Sequence, residues 1–481
     1  MSDPALFGRS FAGDTWNAWR AFLAAIFGHR MEEDQLATFR ACTARQRPPG
    51  GPAREAWVVV GRRGGKSRIA ALVAVFLAAF RDYSGVLAPG ERGTIVVIAS
   101  DRRQARVVFR YVAALLDVPM LARLVAGRTA ETINLTTGVS IEVHTASFRA
   151  VRGYTIIAAV LDEIAFWRSE DSSNPGTEIV AGLRPGMATV PGSLLLAISS
   201  PYARRGVLWE AHRQHFGRDD DPVVVWQSPT RTMHPLIDER VIADAYAADE
   251  AAARAEWGAQ FRSDLEDYVS REVIETLVAP GRHEVPRGFN RYFAFCDPAG
   301  GSGADSMAVA ISHIGGSKVV LDLVRETRPP FSPEEVVAEF CAILKSYGIR
   351  RVTGDRYAGE WPAERFKKHG IVYTPAEMTK SQIYAEVLPI LNSRAIELLD
   401  DRRLVAQFLG LERRTAWGGR DSIDHPPGQH DDVVNAAAGA LLLAWAARRA
   451  GSHLPIQMLG EVRVTTLTPA PPERPTRVFR W

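Results

Sequence analysis

Residues 56–67 read AWVVVGRRGGKS, which is an apolar run, a glycine-rich turn and a Lys-Ser pair in succession. The run AWVVV has the continuous apolar character of a strand that is buried on both faces of a sheet. Residues 67–80 then have the composition of a helix that packs on such a sheet. Backbone N–H groups in a strand–glycine turn–helix unit wrap a phosphate, while the lysine reaches its oxygens and the serine binds Mg²⁺. The stretch therefore predicts an α/β fold with a phosphate site formed by Gly61, Arg62, Arg63, Gly64, Gly65, Lys66 and Ser67.

The loop departs from the usual pattern in one place, because the glycine expected five residues before Gly65 is Val60. On the loop alone, a basic glycine turn without a nucleotide remains the alternative. Residues 156–161 (IIAAVL) form a second apolar strand, which ends in Asp162 and Glu163. In a phosphoryl-transfer site, an Asp at this place holds the Mg²⁺ shell and a Glu orients the attacking water. The loop and the acidic pair together favour an ATPase.

A third apolar strand is predicted over residues 193–198, and it ends in Ser199, Ser200 and Pro201. We predict that these three residues sense the loss of the γ-phosphate. Continuous apolar strands that alternate with helices indicate a mostly parallel sheet that is covered on both faces. An Ala-rich helix is predicted farther along the chain, over residues 238–260.

The chain has 481 residues, which is too many for one ordinary hydrophobic core. We expect a P-loop ATPase domain over 1–265, which includes a linker subdomain from about residue 202. A linker over 266–285 is expected to lead into a second α/β domain over 286–450. Residues 451–481 are rich in proline and arginine and cannot bury a core, so we expect a flexible or partner-bound tail.

The composition is that of a globular protein, with 46% hydrophobic and 23% charged residues. A net charge of +3 neither requires nor excludes a polyanionic partner. The three cysteines have neither disulfide-framework nor zinc-site spacing. The amino terminus lacks a basic region followed by an apolar core, and the longest apolar runs are too short to cross a bilayer. We therefore expect a soluble, intracellular protein without a membrane partner.

Three acidic positions in the second half of the chain lie in distinct local settings. Asp297 follows the apolar run YFAFC, Asp355 follows RVTG, and the pair Asp431-Asp432 opens an Ala-rich helix. Each position alone is also typical of an ordinary turn or helix cap. Cleavage of phosphodiesters by two metal ions needs three or four carboxylates around the ions. A ribonuclease-H-like sheet supplies them from the middle of its first strand, the end of a neighbouring strand and a later helix. We predict a metal site of Asp297, Asp355 and Asp432, with Asp431 as a second ligand or a cap, and with Asp305 as a weaker extra ligand.

Taken together, the motifs resemble those of the large terminase subunit of tailed bacteriophages. The shifted loop GRRGGKS, the strand end VLDE, the SSP segment and the later DPA, GD and HDD motifs occur in the same order, over roughly residues 55–445. The resemblance implies that ATP hydrolysis with Mg²⁺ drives double-stranded DNA into a procapsid. It also implies that a ribonuclease-H-like endonuclease, using Mg²⁺ or Mn²⁺, cuts concatemeric DNA.

The resemblance implies partners and a location as well. The partners are double-stranded DNA, the portal protein, the small terminase subunit and further copies of the chain in a ring on the portal, with a monomer as the alternative for the chain alone. The location is the host cell cytoplasm, and the protein is not part of the mature virion.

Several further residue roles follow from the resemblance. Arg152 is the candidate arginine finger, and Arg62 and Arg63 are its rivals. Trp16 or Trp19 is the candidate for stacking on adenine, and the alternative is that both belong to the core. Because phosphate contacts dominate DNA binding without sequence reading, basic residues beside the acidic sites are candidates for that role. These are Arg356, Lys367, Lys368 and Lys380.

Other functions remain open at this stage. A helicase or translocase joined to a nuclease, acting in DNA repair or mobile-element processing, would use the same chemistry. It would need a second motor core, and nothing after Pro201 repeats a phosphate-loop fold. A transposase or resolvase with a non-hydrolysing first domain, and a scaffold without activity, are the remaining alternatives.

Overall fold

The computed structural model describes residues 1–146, 153–167, 175–355, 361–415, 421–426 and 428–452. In chain order the strands β1 to β17 are Glu55–Val60, Gly93–Ala99, Val125–Arg128, Thr132–Leu135, Val139–Thr145, Thr155–Asp162, Leu194–Ser199, Val223–Ser228, Leu265–Asp267, Tyr292–Asp297, Met307–Gly315, Lys318–Thr327, Arg351–Gly354, Val372–Pro375, Ile396–Glu397, Glu412–Thr415 and Asp421–Asp424.

The helices α1 to α16 of the described residues are Asn17–Phe27, Glu33–Thr43, Lys66–Phe80, Arg102–Leu116, Pro119–Ala122, Pro175–Met187, Gly206–His215, Thr230–Met233, Glu239–Ala248, Glu250–Glu256, Arg271–Leu277, Pro333–Ser346, Trp361–Lys368, Lys380–Asn392, Arg402–Gly410 and Asp432–Ser452. Short 3-10 turns lie at Asp14–Trp16 and Ile164–Phe166.

The first half of the chain forms an eight-stranded sheet in the order β3-β4-β5-β2-β6-β7-β1-β8. The six strands from β5 to β8 in this order are parallel, and β3 and β4 extend one edge as antiparallel strands. Separate clusters of buried apolar residues cover its two faces, which explains why these strands are apolar throughout. The predicted mostly parallel α/β fold is confirmed for this half.

Strand order places the three predicted motifs side by side. Strand β7 lies between β6 and β1 and is parallel to both. The carboxyl ends of parallel strands meet at one edge of a sheet, so Val60, Asp162 and Ser199 end there together. This edge is where the predicted phosphate site of the loop after β1 lies.

The second half forms a six-stranded sheet in the order β14-β13-β10-β11-β12-β15. Its first three strands, β10 to β12, form an antiparallel meander, and β13 and β14 add in parallel beside β10. Helix α16 packs on this meander so closely that a Cβ on Gly439 would lie 2.3 Å from the Phe295 ring. The sheet has the mixed strand order of the predicted ribonuclease-H-like fold.

Two predictions about the middle of the chain differ from the structure. The segment predicted as a linker, 266–285, contains helix α11, whose buried Ile274 and Leu277 belong to the core of the second half. Its first residues lie in β9, which pairs with β16 in a small sheet of order β17-β16-β9. The single helix predicted over 238–260 is two helices, because the Asp249 side chain accepts a hydrogen bond from the N–H of Ala252 and starts a new helix.

Among the described residues, none of the helices combines the length and the apolar character that crossing a bilayer requires. Most of the predicted tail, residues 453–481, lies outside the described part of the chain.

Candidate functional site

The glycine-rich loop between β1 and α3 has room for glycine alone at its central positions. A Cβ on Gly64 would lie 2.6 Å from Cγ1 of Val60, and Gly65 has φ of +94°. The indole Nε1 of Trp19 donates to the Gly64 carbonyl at 2.8 Å, and Trp19 is buried. Trp19 therefore holds the loop in place through its hydrogen bond to Gly64, and its buried ring cannot stack on a base. The ring of Trp16 lies closer to the surface and packs against Phe11.

Lys66 lies across the mouth of this loop with its side chain only 5% exposed. Its Nζ donates to the carbonyls of Val60 at 2.9 Å and Gly61 at 3.3 Å. It also donates to Ser200 Oγ at 3.0 Å and lies 3.5 Å from a carboxylate oxygen of Glu163. The ammonium thus joins the ends of three neighbouring strands at the place where a phosphate would bind.

Glu163 is held in an unusual backbone conformation, with φ of +50°. Its carboxylate accepts hydrogen bonds from Ser199 Oγ at 3.2 Å and from the backbone N–H of Ser200 at 3.0 Å. Strain of this kind in a non-glycine residue persists where the surroundings fix it, which is common at functional sites. The Ser-Ser segment that was predicted to sense the γ-phosphate therefore contacts the predicted water-orienting carboxylate directly.

Asp162 is buried, and its Oδ1 has no hydrogen-bond partner among the described residues. Burial, and secondarily the charge of Glu163, raise the pKa of Asp162 to about 7, against the lowering effect of Lys66. A buried acceptor without a partner costs roughly 1–3 kcal/mol. A divalent cation beside Asp162 would supply that partner and favour the ionised carboxylate, so the residues present fit Mg²⁺.

Residues far along the chain support the loop, and no sequence motif pointed to them. Thr230 Oγ1 donates to the Arg62 carbonyl at 2.8 Å, and the Arg62 N–H donates to the Glu256 carbonyl at 2.5 Å. The Arg62 guanidinium pairs with the Glu256 carboxylate at 3.2 Å. Arg62 is thus engaged within its own chain, whereas Arg152 lies outside the described residues.

A second site lies at the carboxyl ends of β10 and β13 and the amino end of α16. It is a cleft of about 340 Å³. The cleft brings together the predicted acidic residues and several neighbours, namely Asp297, Asp305, Ser306, Asp355, Trp361, Lys380, His425, Asp431, Asp432 and Asn435. All five carboxylates that were predicted as metal ligands line this one cleft, namely Asp297, Asp305, Asp355, Asp431 and Asp432.

Asp297 is the most strongly perturbed member of this cluster. Burial raises the pKa of Asp297 well above its usual value, and the charges of Asp432, Asp431 and Asp355 raise it further. A hydrogen bond from Asn435 Nδ2, at 2.9 Å, acts in the opposite direction. The Oδ1 of Asn435 is buried and finds no partner among the described residues. Four crowded carboxylates with an unpartnered amide oxygen have the oxygen-rich chemistry of a site for Mg²⁺ or Mn²⁺.

Asp432 has a second potential metal ligand next to it. The Ser306 N–H donates to Asp432 Oδ2 at 2.9 Å, and burial raises the pKa of Asp432 to about 6. One ligand atom each of Asp305, His430 and Asp432 lie within 4.8 Å of one another. His430 Nδ1 lies 3.2 Å from Asp305 Oδ1. The sequence motif HDD contains His430, but it did not distinguish a ligand from a neighbour.

Asp431 has different partners from Asp432. Its carboxylate accepts hydrogen bonds from Lys380 Nζ at 3.1 Å and from the Tyr384 hydroxyl at 2.8 Å. Lys380 also pairs with Asp424 at 3.0 Å. The structure therefore places Lys380 inside the cleft between two carboxylates, whereas the sequence suggested a DNA phosphate contact. With Asp431 already paired, Asp432 is the better placed of the two for a metal ion.

Asp355 is positioned through its backbone. Its N–H donates to the Cys296 carbonyl at 3.2 Å, and its carbonyl accepts from the Tyr373 hydroxyl at 2.8 Å. A Cβ on Gly354 would lie 2.6 Å from the Cys296 carbonyl oxygen, so glycine is required immediately before Asp355. The predicted DNA contact Arg356 lies outside the described residues.

Neither a family model nor a curated protein matches the chain. Among solved structures, the chain is similar to the large terminase of bacteriophage HK97, with 16% identity and a TM-score of 0.38 over 88% of this chain and 99% of that one. It is also similar to the large terminase of a thermophilic bacteriophage in complex with ADP, with 12% identity and a TM-score of 0.37 over 81% of this chain and 93% of that one.

A third similar structure is the large terminase nuclease of the thermophilic phage G20c. It has 17% identity and a TM-score of 0.32, and it covers 36% of this chain and 97% of that one. Identities and TM-scores this low do not carry a function from one protein to another. Function is therefore inferred from the side chains of this chain.

Proposed function

We propose that this chain is a DNA-packaging motor and nuclease, with the role of a large terminase subunit. ATP hydrolysis at the edge of the first sheet would drive double-stranded DNA into a procapsid, and the second cleft would cut concatemeric DNA. One observation carries the proposal. A phosphate loop with its acidic and hydroxyl partners lies at the edge of one sheet, and a separate cluster of five aspartates lies at the edge of a second sheet of the same chain.

In the first site each residue has a separate task. Lys66, already buried at the loop mouth, would exchange its contacts with carbonyls and Ser200 for the phosphate oxygens of ATP. Ser67 and Asp162 would hold Mg²⁺, which when bound neutralises charge on the transferred phosphoryl group. Glu163 would orient the attacking water, since Ser199 and Ser200 fix its carboxylate.

In the second site Asp297, Asp355 and Asp432 would hold the metal ions, which when bound activate water and stabilise the leaving oxygen. Asn435 fixes the direction of the Asp297 carboxylate through a hydrogen bond. The backbone N–H of Ser306 does the same for Asp432. These contacts hold the carboxylates at one point before DNA arrives, which is the condition for rapid cleavage.

A surface of the first half is suited to the phosphate backbone of DNA. Arg103, Arg106 and Arg110 are exposed on α4, and their spacing places them along one face of the helix. Tyr111 beside them is 41% exposed. A row of arginines on a regular element gives binding that depends on salt and does not read sequence, as a packaging motor requires.

The partners remain part of the proposal, and they rest on the resemblance of the motifs. They are the portal protein, the small terminase subunit and further copies of the chain in a ring, and the place of action is the cytoplasm of the host cell. A DNA-repair helicase or translocase with a nuclease is the alternative function. It would require a second motor core, and the described residues contain one sheet that ends in a phosphate loop.

Separate inactivation of the two sites tests the proposal. Glu163→Gln should lower ATP hydrolysis by at least about 100-fold and leave Mn²⁺-dependent plasmid cleavage within about twofold of the unmodified protein. Asp297→Asn should have the opposite pattern in the same two assays. Loss of both activities in either correctly folded variant would contradict two independent sites. Absence of both activities from the unmodified chain would contradict the function itself.

A further inference from the structure

A series of contacts and strand pairings connects the two proposed active sites through one buried carboxylate, Glu412 in β16. Glu412 is fully buried, and its Oε2 accepts a hydrogen bond from the Tyr202 hydroxyl at 2.9 Å. Its Oε1 accepts a charged hydrogen bond from the Arg205 guanidinium. Tyr202 and Arg205 belong to the first half of the chain, whereas Glu412 belongs to a strand that packs with the second half. A buried carboxylate depends on these donors, because leaving it unpaired costs several kcal/mol.

On the side of the first site, Tyr202 follows Ser200 by two residues. Ser200 contacts both functional groups of that site, since its Oγ accepts from Lys66 and its N–H donates to Glu163. The Tyr202 ring packs against Phe166, with 5.4 Å between ring centroids. Ser200 and Tyr202 are separated only by Pro201, whose ring fixes its φ, so the backbone offers a short path from Ser200 to the Tyr202 ring.

On the side of the second site, Glu412 lies directly opposite Asp424 in the antiparallel pair of β16 and β17. Asp424 pairs with Lys380 Nζ at 3.0 Å, and the same ammonium pairs with Asp431 at 3.0 Å. Asp431 precedes Asp432, which is a proposed metal ligand. The Lys380 ammonium thus forms ion pairs with two carboxylates, Asp424 of the β16–β17 pair and Asp431 of the metal cleft. A shift of β16 and β17 would change the distance from Lys380 to Asp424, and with it the strength of the ion pair between Lys380 and Asp431.

We propose that Tyr202 and Glu412 couple the two sites, so that a nucleotide at the first site changes the rate of DNA cleavage at the second. This inference rests on the proposed function. A phosphate that takes the Lys66 ammonium removes its hydrogen bond to Ser200 and frees that segment to move. The movement passes through Tyr202 to Glu412 and the β16–β17 pair, and it alters how much of the Lys380 charge falls on the metal cleft. Tyr202 and Glu412 are positioning residues, since neither lines the metal cleft.

The ratio of two cleavage rates tests this coupling. Plasmid cleavage by the full chain is measured with Mn²⁺, at matched free metal, with and without a saturating non-hydrolysable ATP analogue. In the unmodified protein the two rates should differ by about fivefold or more, which is the lower end of usual coupling between sites. In Tyr202→Phe and Glu412→Gln the ratio should lie within about twofold of one. Cleavage without nucleotide, and ATP hydrolysis, should stay within about twofold in Tyr202→Phe.

A matched control separates coupling from the general loss of a hydroxyl. Tyr347→Phe removes the hydrogen bond, 2.6 Å long, that the Tyr347 hydroxyl donates to the Val285 carbonyl. Tyr347 lies just before the amino end of β13 and does not line the metal cleft. This variant should keep the ratio of the unmodified protein. A change in Tyr347→Phe equal to that in Tyr202→Phe would overturn the assignment of the coupling to Tyr202.

The remaining outcomes distinguish this inference from the proposed function. If the unmodified protein hydrolyses ATP and cleaves DNA, but its cleavage does not respond to the analogue, the coupling is wrong and the function stands. If Tyr202→Phe keeps the full response, the coupling through Glu412 is wrong. If Glu412→Gln unfolds, Tyr202→Phe decides, because it removes one hydroxyl and keeps the ring. If the unmodified protein lacks either activity, the proposed function fails first and the coupling fails with it.

Discussion

Lys66 donates a hydrogen bond from Nζ to Oγ of Ser200, 3.0 Å away, so the loop after β1 is tied to the end of the neighbouring strand β7. The same ammonium contacts the carbonyls of Val60, the last residue of β1, and of Gly61 in the loop. Because Lys66 is nearly fully buried, a phosphate can enter only by replacing part of this set of contacts. The hydrogen bond to Ser200 therefore competes with the nucleotide.

Removing that competitor should strengthen nucleotide binding. In Ser200→Ala we expect ADP to bind about threefold more tightly, because one net hydrogen bond is worth roughly 0.5–1.5 kcal/mol. Calorimetric titration with ADP measures the change. Lys66→Met is the matched variant on the other partner and should weaken binding by at least about 100-fold. Weaker binding in Ser200→Ala would mean that the hydroxyl itself contacts the phosphate.

We expect the two tryptophans near the loop to have different roles: Trp19 supports the loop, and Trp16 contacts the nucleotide. Trp19→Phe loses the hydrogen bond to the Gly64 carbonyl, so ATP and tripolyphosphate should both bind more weakly, by about fivefold. Trp16→Ala should weaken ATP binding but leave tripolyphosphate binding unchanged if its partly buried ring stacks on adenine. Competition binding with the two ligands measures both effects. Equal weakening of both ligands in Trp16→Ala would make Trp16 a second support.

The features that could be predicted from the sequence are local ones. An apolar run that ends in a polar residue fixes both a strand and the edge where its last side chain lies, and this holds for Asp162, Ser199 and Asp297. Asp355 follows the mixed segment RVTG and comes one residue after the end of β13. The shared edge then follows from parallel strands. The HDD motif likewise places Asp432 at the start of α16.

Contacts between distant parts of the chain could not be predicted in this way. Three hydrogen bonds join residues that no spacing pattern connects. They run from Thr230 to the Arg62 carbonyl, from Tyr202 to Glu412 and from Lys380 to Asp431. Each depends on how helices and small strands pack after the sheets have formed. For the same reason the sequence did not show that Lys380 lies between Asp424 and Asp431, and its contact with DNA stays a prediction.

Neutralising Asp297 should stabilise the protein while it removes cleavage. Its carboxylate is buried among three others, and without metal that charge is unfavourable. In metal-free buffer Asp297→Asn should gain on the order of 1 kcal/mol of unfolding free energy, which raises Tm by about 2–4 °C. Added Mn²⁺ should raise Tm in the unmodified protein but not in this variant. Asp244→Asn, at an exposed position on α9, is the control and should leave both values unchanged.

Metal binding at the second cleft should depend on pH because of Asp432. Burial raises its folded pKa from 3.8 to about 6, so the folded state binds the proton more tightly than the unfolded state between these values. Without metal, stability should therefore fall as pH rises from about 4 to about 6. Metal affinity should rise over the same interval, by up to about tenfold per pH unit, because the ion displaces the proton.

Titration of the protein with Mn²⁺ at a series of pH values measures this dependence. Asp432→Asn removes the titrating group, so Mn²⁺ affinity should rise less steeply with pH in this variant. Asp297 also has a raised pKa and keeps a residual slope in that variant. An unchanged slope in Asp432→Asn would show that Asp432 is not a ligand.

Lys380 gives two expectations that one variant can separate. If its ammonium mainly holds Asp431 in place, as the 3.0 Å ion pair indicates, Lys380→Met should lower the cleavage rate by about 10–100-fold, as the loss of a residue supporting metal ligands usually does. DNA affinity should then stay within about twofold at low salt. If Lys380 instead contacts a DNA phosphate, affinity should fall and its salt dependence should become shallower by about one ion. Lys318→Met, at an exposed lysine that lies 3.9 Å from Glu397 on the same half of the chain, is the control for the loss of one positive charge. Because Asp424 and Asp431 both lie within 3.1 Å of the Lys380 ammonium, we expect the first result.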